Sequence, residues 1–238
     1  SAGNSATTPV QSVTIDTTPP TAGTISLSNF TDSGSNTTDN ISNDNTFDLT
    51  ISGNEAGSTV VYQISTDGGV TWTTTTANQS AITDGTYSFR ATVTDSAGNS
   101  ATTPVQSVTI DTTPPSATVN ITAISTDSGT AGDFITNDNN GLTISATLST
   151  ALVSGEKLMY SKDNGTTWID ITSSVTGTTV SYIDSTLTSS TTIQMRVLDA
   201  ASNAGVANTK AIVIDTTAPT TTVNITAIST DSGTAGDF

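Results

Sequence analysis

The chain has 238 residues, of which 5 are Lys or Arg and 21 are Asp or Glu, giving a net charge of −16 and no His or Cys. That balance excludes a basic nucleic-acid footprint, argues against anionic membrane surfaces and makes cations the natural partners. Without Cys or His there is no disulfide, no thiolate site, no imidazole ligand and no imidazole base. No stretch reaches the roughly 18 apolar residues of a membrane-crossing helix, so no direct membrane insertion is expected. No secretory leader opens the chain, as expected of an internal piece of a longer secreted protein.

The sequence repeats itself. Ser1 to Pro20 returns unchanged as Ser96 to Pro115, and Thr118 to Phe134 returns unchanged as Thr222 to Phe238. A period of about a hundred residues is the length of an Ig-type domain and exceeds the roughly twenty to fifty of a solenoid unit. Asp16, Asp111 and Asp215 stand at one place in successive units, in DTTPP, DTTPP and DTTAP. In chain order, residues 1–15 read as the last strand of a preceding Ig-like repeat. Residues 16–110 read as an Ig-like repeat of a first type and 111–214 as one of a second type. Residues 215–238 read as the start of a further repeat of the second type.

Within the first repeat Phe47, Leu49 and Ile51 alternate with Asp48, Thr50 and Ser52, and Tyr87, Phe89, Ala91 and Val93 alternate with Ser88, Arg90 and Thr92. A period of two marks half-buried strands. Val108 and Ile110 close the first repeat as Val213 and Ile214 close the second. Thr is abundant throughout, and its branched Cβ suits a pleated sheet. No segment carries a helical apolar period over about ten positions. The predicted fold class is all-β: tandem Ig-like β-sandwich domains of about seven strands in an end-to-end array, with Trp72 and Trp168 as large core aromatics.

The acidic residues recur at fixed spacing. Sixteen positions separate Asp16 from Asp32, Asp111 from Asp127 and Asp215 from Asp231. The same loop carries Asp39 and Asp44 in DNISNDN, matched by Asp133 and Asp138 in DFITNDN. Asp95 with Asn99, and Asp199 with Asn203, stand before the next linker aspartate at equal distance. The first strand of an Ig-like sandwich runs from the N-terminal end to the far end. The Asp32, Asp39 and Asp44 loop therefore lies at the exit of the first repeat beside Asp111, and Asp199 with Asn203 lies at the entrance of the second. Carboxylates gathered at one junction repel unless a cation neutralises them, and Asp and Asn oxygens on turns are hard ligands of the kind Ca²⁺ takes, about six to eight at a time. The expected cofactor is thus Ca²⁺, with ligands drawn from Asp16, Asp32, Asp39, Asp44, Asp95, Asn99, Asp111, Asp127, Asp133, Asp138, Asp199, Asn203 and Asp215. The alternative is that these residues are turn formers and solubilising charge. Thr112-Thr113-Pro114-Pro115 is too short and too proline-restricted to be a flexible tether. The expected partners are neighbouring repeats of the same chain and calcium ions, with the protein a monomer.

The DTTPP linker, the loop TDSG followed by D-x-I-[ST]-N-D-N, the hairpin S-x-D-x-G-x-T-W and the D-x-A-x-N turn together resemble the bacterial Ig-like repeats of giant RTX-type adhesins and biofilm-associated surface proteins. The resemblance covers essentially the whole chain. It implies a structural extender region of a large secreted bacterial adhesin, rigidified by Ca²⁺ at domain junctions, which projects a terminal adhesive region from the cell surface for adhesion or biofilm formation. The two repeat types differ in length between Asp44 and Asp95 and between Asp138 and Asp199, so the resemblance does not fix the exact ligand set at each junction. Glu55 and Glu156 are extra ligand candidates that do not align between repeats.

Ser65 to Trp72 and Ser161 to Trp168 match the Asp-box hairpin of sialidases, where it is structural. Sialidase chemistry needs several arginines around a carboxylate, and this chain has only Arg90 and Arg196, one per repeat. Paired carboxylates of the glycosidase kind recur at every junction, as expected of a repeated structural site. No enzyme activity is expected. Two other readings remain: a glycan- or receptor-binding Ig-like module, which wants aromatics on one exposed face, and a surface-layer or sheath subunit joined through strand edges.

Overall fold

A computed structural model describes residues 2–34, 36–226, 230 and 232–234; the recurrence expected at Asp231 lies outside them. The first repeat runs through β1 (Thr24–Ser28), β2 (Ile41–Ser42), β3 (Phe47–Ser52), β4 (Thr59–Ser65), β5 (Thr73–Thr74), β6 (Asn78–Gln79), β7 (Gly85–Thr94), β8 (Ser100–Thr102) and β9 (Gln106–Ile110). The second runs through β10 (Val119–Ile124), β11 (Ile135–Thr136), β12 (Leu142–Leu148), β13 (Lys157–Ser161), β14 (Ile169–Asp170), β15 (Val175–Thr176), β16 (Thr179–Asp184), β17 (Thr191–Leu198) and β18 (Asn208–Ile214), with one 3₁₀ turn at Thr172–Ser174. Both are Ig-like β-sandwiches. The short edge pairings raise the number of strand pieces above the seven or so expected of each.

The two units share one plan. In the first, β1-β3-β6 faces β2-β9-β7-β4-β5, with β8 on β7; in the second, β10-β12-β16-β15 faces β11-β18-β17-β13-β14. All pairings are antiparallel except β2 with β9 and β11 with β18. After its first strand each unit thus crosses to the opposite sheet and lies parallel to its own last strand. That crossing sets the acidic loop beside the linker aspartate: Asp111 N–H donates to Ser42 O at 2.9 Å, and Asp215 N–H donates to Thr136 O at 2.8 Å.

Each sandwich has its own core. Ile25, Leu49, Val108 and Ile110 fill the first around Phe47, whose ring meets Phe30 and Phe89 edge-on at 5.5 and 5.8 Å between centroids. Such edge-to-face pairs align the positive ring edge with a negative face. Ile121, Leu142, Ile144, Leu158, Tyr160, Ile193, Met195 and Ile212 fill the second. In the last strand of that unit Ile212 is buried while Val213 is 42 % exposed, so Ile212 and Ile214, not Val213, face the core.

The tryptophans depart from expectation. Neither Trp72 nor Trp168 belongs to a core cluster. The Asp67 and Asp163 hairpins turn each indole onto the outer sheet face, where Nε1–H donates to Gly69 O or Gly165 O at 2.9 Å. The guanidiniums of Arg90 and Arg196 lie 4.2 and 4.0 Å above the ring centroids. A cation over the negative face of an indole is worth about 0.5–1 kcal/mol at an exposed site, so the pair is an outer clasp for the hairpin, made once in each repeat.

The duplicated segments have two fates. Residues 2–15 carry no strand, with Val13 and Ile15 82 and 84 % exposed. The same sequence 95 positions on forms β8 and β9, in which Val108 and Ile110 are each 1 % exposed. Likewise Val223 and Ile225 are 91 and 69 % exposed, whereas their copies Val119 and Ile121 are 5 and 1 %. Identical residues form strand only where β7, β2 or β12 offers a ladder, because an isolated strand has no partner for its N–H and C=O groups.

Candidate functional site at the repeat junction

The acidic loop of each unit is a set of turns closed by its own carboxylates. Asp39 Oδ1 accepts the Ile41 N–H at 3.1 Å, and Asp44 accepts Thr46 N–H at 3.2 Å and Thr31 N–H at 2.8 Å. Asp32 Oδ2 accepts Asn40 N–H at 3.0 Å, while its Oδ1 is buried without a partner. Buried Ser42 ties the loop together, donating to Thr31 O at 2.6 Å and accepting Asp44 N–H at 2.9 Å. The second repeat does the same with different residues. Asp127 Oδ2 accepts Gly132 N–H at 2.6 Å and its Oδ1 is again buried and unpartnered. Asp133 and Asp138 accept Ile135 and Asn140 N–H at 2.9 and 3.1 Å, and Thr136 takes the place of Ser42, its hydroxyl donating to Thr126 O.

The D-x-A-x-N turn reads the linker. Asp199 accepts both the N–H and the side-chain amide of Asn203, at 2.8 and 2.9 Å, and that amide also donates to Asp111 O at 2.7 Å. Asp95 and Asn99 make the same pair one unit earlier, Asn99 reaching Asp16 O at 3.2 Å. The side-chain bond from Asn99, helped by backbone N–H groups of the turn, holds the Asp95 carboxyl below the usual carboxylate range against the opposing effect of burial. The recurrence of these residues therefore has a geometric cause: each Asn fastens its own unit to the carbonyl of the aspartate that precedes it. Asp16 and Asp215 close turns of their own, accepting Thr18 and Thr217 N–H at 3.0 and 2.9 Å.

The first and second repeats also touch directly. Ser33 Oγ donates to Ala201 O at 2.7 Å. Gly34, at φ +109°, lies so close that a Cβ there would stand 2.1 Å from Ala200 O. Beside this contact a cleft of about 400 Å³ is lined by Asp111, Pro114, Pro115, Glu156, Asp199 and Ala200 among others. The structure thus brings Asp111, Asp199 and Asn203 together with the loop that carries Asp32, and adds Glu156. It leaves the carboxylates of Asp39 and Asp44 turned to their own loop, and places Asp127, Asp133 and Asp138 at the next junction, by Asp215. Among the described residues no three acidic side chains converge as a metal-holding group.

Two features were not visible in the spacing. Asp84 accepts Thr112 N–H and Oγ1–H at 2.9 and 2.7 Å and Thr113 Oγ1–H at 2.6 Å, clamping the linker from the first repeat. These bonds, that from Thr113 foremost, lower its carboxyl below the ordinary range. The second repeat puts Ser190 at this corner, bonded to Ile214 N–H at 2.8 Å, so recurrence could not point to Asp84. Glu55 and Glu156 do not align, yet both sit in the loop that crosses from one sheet to the other between the third and fourth strands of their repeat, β3–β4 and β12–β13. Glu55 N–H donates to Thr21 O at 3.0 Å and Glu156 Oε2 accepts Val153 N–H at 2.9 Å.

Residues 19–112, the first repeat with its flanks, match the family described as bacterial Ig-like domain. Such domains are common in surface and extracellular proteins and are typically structural modules without catalysis. Among solved structures, the chain is similar to the fibronectin(III)-like modules of Clostridium thermocellum CbhA, at 15 % identity and a TM-score of 0.44, over 80 % of this chain and 93 % of that one. No curated protein matches in sequence. No helix among the described residues is long and apolar enough to cross a membrane.

Proposed function

We propose that this chain is a stretch of the extender region of a large secreted bacterial adhesin, stiffened at its junctions by Ca²⁺ and carrying a terminal adhesive region away from the cell surface. The observation behind it is the double grip on one linker residue: Asp111 N–H is bonded to Ser42 of the preceding sandwich and Asp111 O to Asn203 of the following one. A module built for ligand capture does not need its neighbour held at a fixed angle; a rod does.

The case for Ca²⁺ rests on donor chemistry. A carboxylate oxygen buried without a partner forfeits its hydration for nothing, and this occurs at Asp32 and again at the equivalent Asp127. Asp32, Asp111, Glu156, Asp199 and the amide oxygen of Asn203 are the hard ligands available at the junction between the two sandwiches. Bound there, Ca²⁺ would offset their mutual repulsion; the residues themselves hold the linker backbone and orient the loops. Extracellular calcium modules bind with Kd of about 10⁻⁴–10⁻³ M, and a site at about a hundredfold excess of ion adds about 2.7 kcal/mol to stability.

The test is small-angle scattering and thermal melting of residues 1–238 in millimolar Ca²⁺ and then in excess chelator. A longer, stiffer particle with a higher Tm in calcium is expected. Superimposable curves would remove Ca²⁺ and leave a rod held by direct contacts alone. A chain that bends freely in both conditions would remove the extender.

A further inference from the structure

A second cleft, of about 310 Å³, opens on the flank of the second sandwich between β16 and the β13–β14 hairpin. At its floor Tyr160, 1 % exposed, donates its hydroxyl to Asp184 Oδ2 at 3.1 Å. Asp184, 5 % exposed, accepts Thr186 N–H and Oγ1–H through Oδ1 at 2.9 and 2.6 Å. Tyr182 forms a half-buried wall, its ring centroid 4.9 Å from that of Tyr160. Lys162 stands at the rim, with Nζ 2.6 Å from Thr186 Oγ1.

Two things here are not explained by the fold. In a chain of net charge −16, a carboxylate is buried with only neutral donors around it, which costs free energy that a sandwich core does not require. Lys162 is also singular. Of the five basic residues, Lys157 pairs with Asp170 at 3.1 Å, and Arg90, Arg196 and Lys210 lie over Trp72, Trp168 and Phe134. Among the described residues Lys162 alone has neither a carboxylate nor a ring. The first repeat has none of this: counted from the matching Asp-box serines, Ile64 and Thr66 stand where the second has Tyr160 and Lys162. A pure spacer gives no reason for the difference.

We infer that the second-type repeat binds a short neutral saccharide, one or two rings long, in this cleft. Small-ligand sites combine apolar and aromatic walls with a few convergent polar groups, in volumes of about 300–1,000 Å³, and this cleft is at the small end of that range. The Tyr182 ring offers a flat apolar wall for the C–H face of a pyranose. Asp184 supplies an acceptor and Lys162 a donor, with the Ser185 and Thr186 hydroxyls serving as either. Burial, then the adjoining Asp184 carboxylate, raises the Tyr160 hydroxyl far above its ordinary range, so it stays a proton donor to Asp184 and leaves the second lone pair of Oδ2 for the ligand. The acidity of the whole chain disfavours an anionic sugar.

The experiment is saturation-transfer NMR on residues 1–238 with the methyl glycosides of glucose, galactose, mannose and N-acetylglucosamine, and with methyl glucuronide as the charged comparison. At least one neutral glycoside should receive saturation at its ring protons and shift amide resonances of β16 and the β13–β14 hairpin. Lys162→Met, at an exposed position that leaves the core intact, and Tyr182→Leu should each weaken that binding about tenfold or more, a loss of about 1.4 kcal/mol. An unchanged Tm for Lys162→Met separates lost binding from lost folding. The inference fails if no neutral glycoside receives saturation, if the shifts map elsewhere, if methyl glucuronide binds best, or if Lys162→Met binds as the parent does.

Discussion

Gly34→Ala tests whether the two sandwiches are locked by direct contact. The new methyl carbon would lie 2.1 Å from Ala200 O, a backbone atom of the next repeat, so the loop and its neighbour must part by about 1 Å to reach ordinary contact. The positive φ adds local strain of about 1–3 kcal/mol for a residue with a side chain. Parting the surfaces also removes the Ser33–Ala201 hydrogen bond, worth about 0.5–1.5 kcal/mol. Neither core is touched. The assay is distance measurement between spin labels placed on exposed residues of the two sandwiches, with Ser33→Ala as the variant that loses the bond without the clash. The distance distribution should broaden strongly in Gly34→Ala and mildly in Ser33→Ala, with little change in the melting of the first core. Unaltered distributions in both would refute the interlock and return the stiffness to the prolines and the Asp111 bonds.

Asn203→Ala should strip a donor from both Asp111 O and Asp199 Oδ2, costing about 1–3 kcal/mol and speeding hydrogen exchange around the linker; exchange rates unchanged there would contradict it. Phe47→Ala should destabilise the first repeat by about 3–5 kcal/mol and split calorimetric melting into two transitions, because the second core is a separate cluster. A single shifted transition would show the sandwiches to unfold as one. Bonds from the Thr167 hydroxyl, then its N–H, then Ser161, lower the Asp163 carboxyl to about 2. A depressed carboxyl stabilises above its unfolded value of about 3.9 and loses that contribution as pH falls through the folded value. The Tm gap between the parent and Asp163→Asn should therefore narrow as pH drops from about 4 to about 2; a gap that stays constant over that range would refute the assignment.

The repeat plan was legible because unlike sequences kept the same residues at the same distances, and the phase set by Asp16, Asp111 and Asp215 marks where each sandwich ends. The Phe47–Leu49 and Phe89–Val93 alternations mark walls of the first core. Size alone argues for burial of the tryptophans; what turns them out is the Asp67 and Asp163 hairpin, with an arginine on the strand paired to it, β7 beside β4 and β17 beside β13. Asp84 was invisible because its partner repeat solves the same corner with Ser190. Glu156 gained its place at the junction from a loop whose length differs between repeats, which no alignment of the two could reveal.

The exposed copy of β8 and β9 at residues 2–15 bears on how such a chain reaches its native state. Strand β7 cannot distinguish its own last strand from an identical one belonging to a neighbour, and exchange of strands between adjacent domains is a characteristic error of repeat proteins. The switch of repeat type at Asp111 removes that ambiguity between the first and second sandwiches, while residues 11–15 keep the same QSVTI as β9. QSVTI closes the first sandwich and NTKAIVI the second, so neither completes the other with its native side chains. Where the repeat type changes, variation between neighbours acts as a proofreading device, confining β9 and β18 each to its own sandwich while the chain is still assembling.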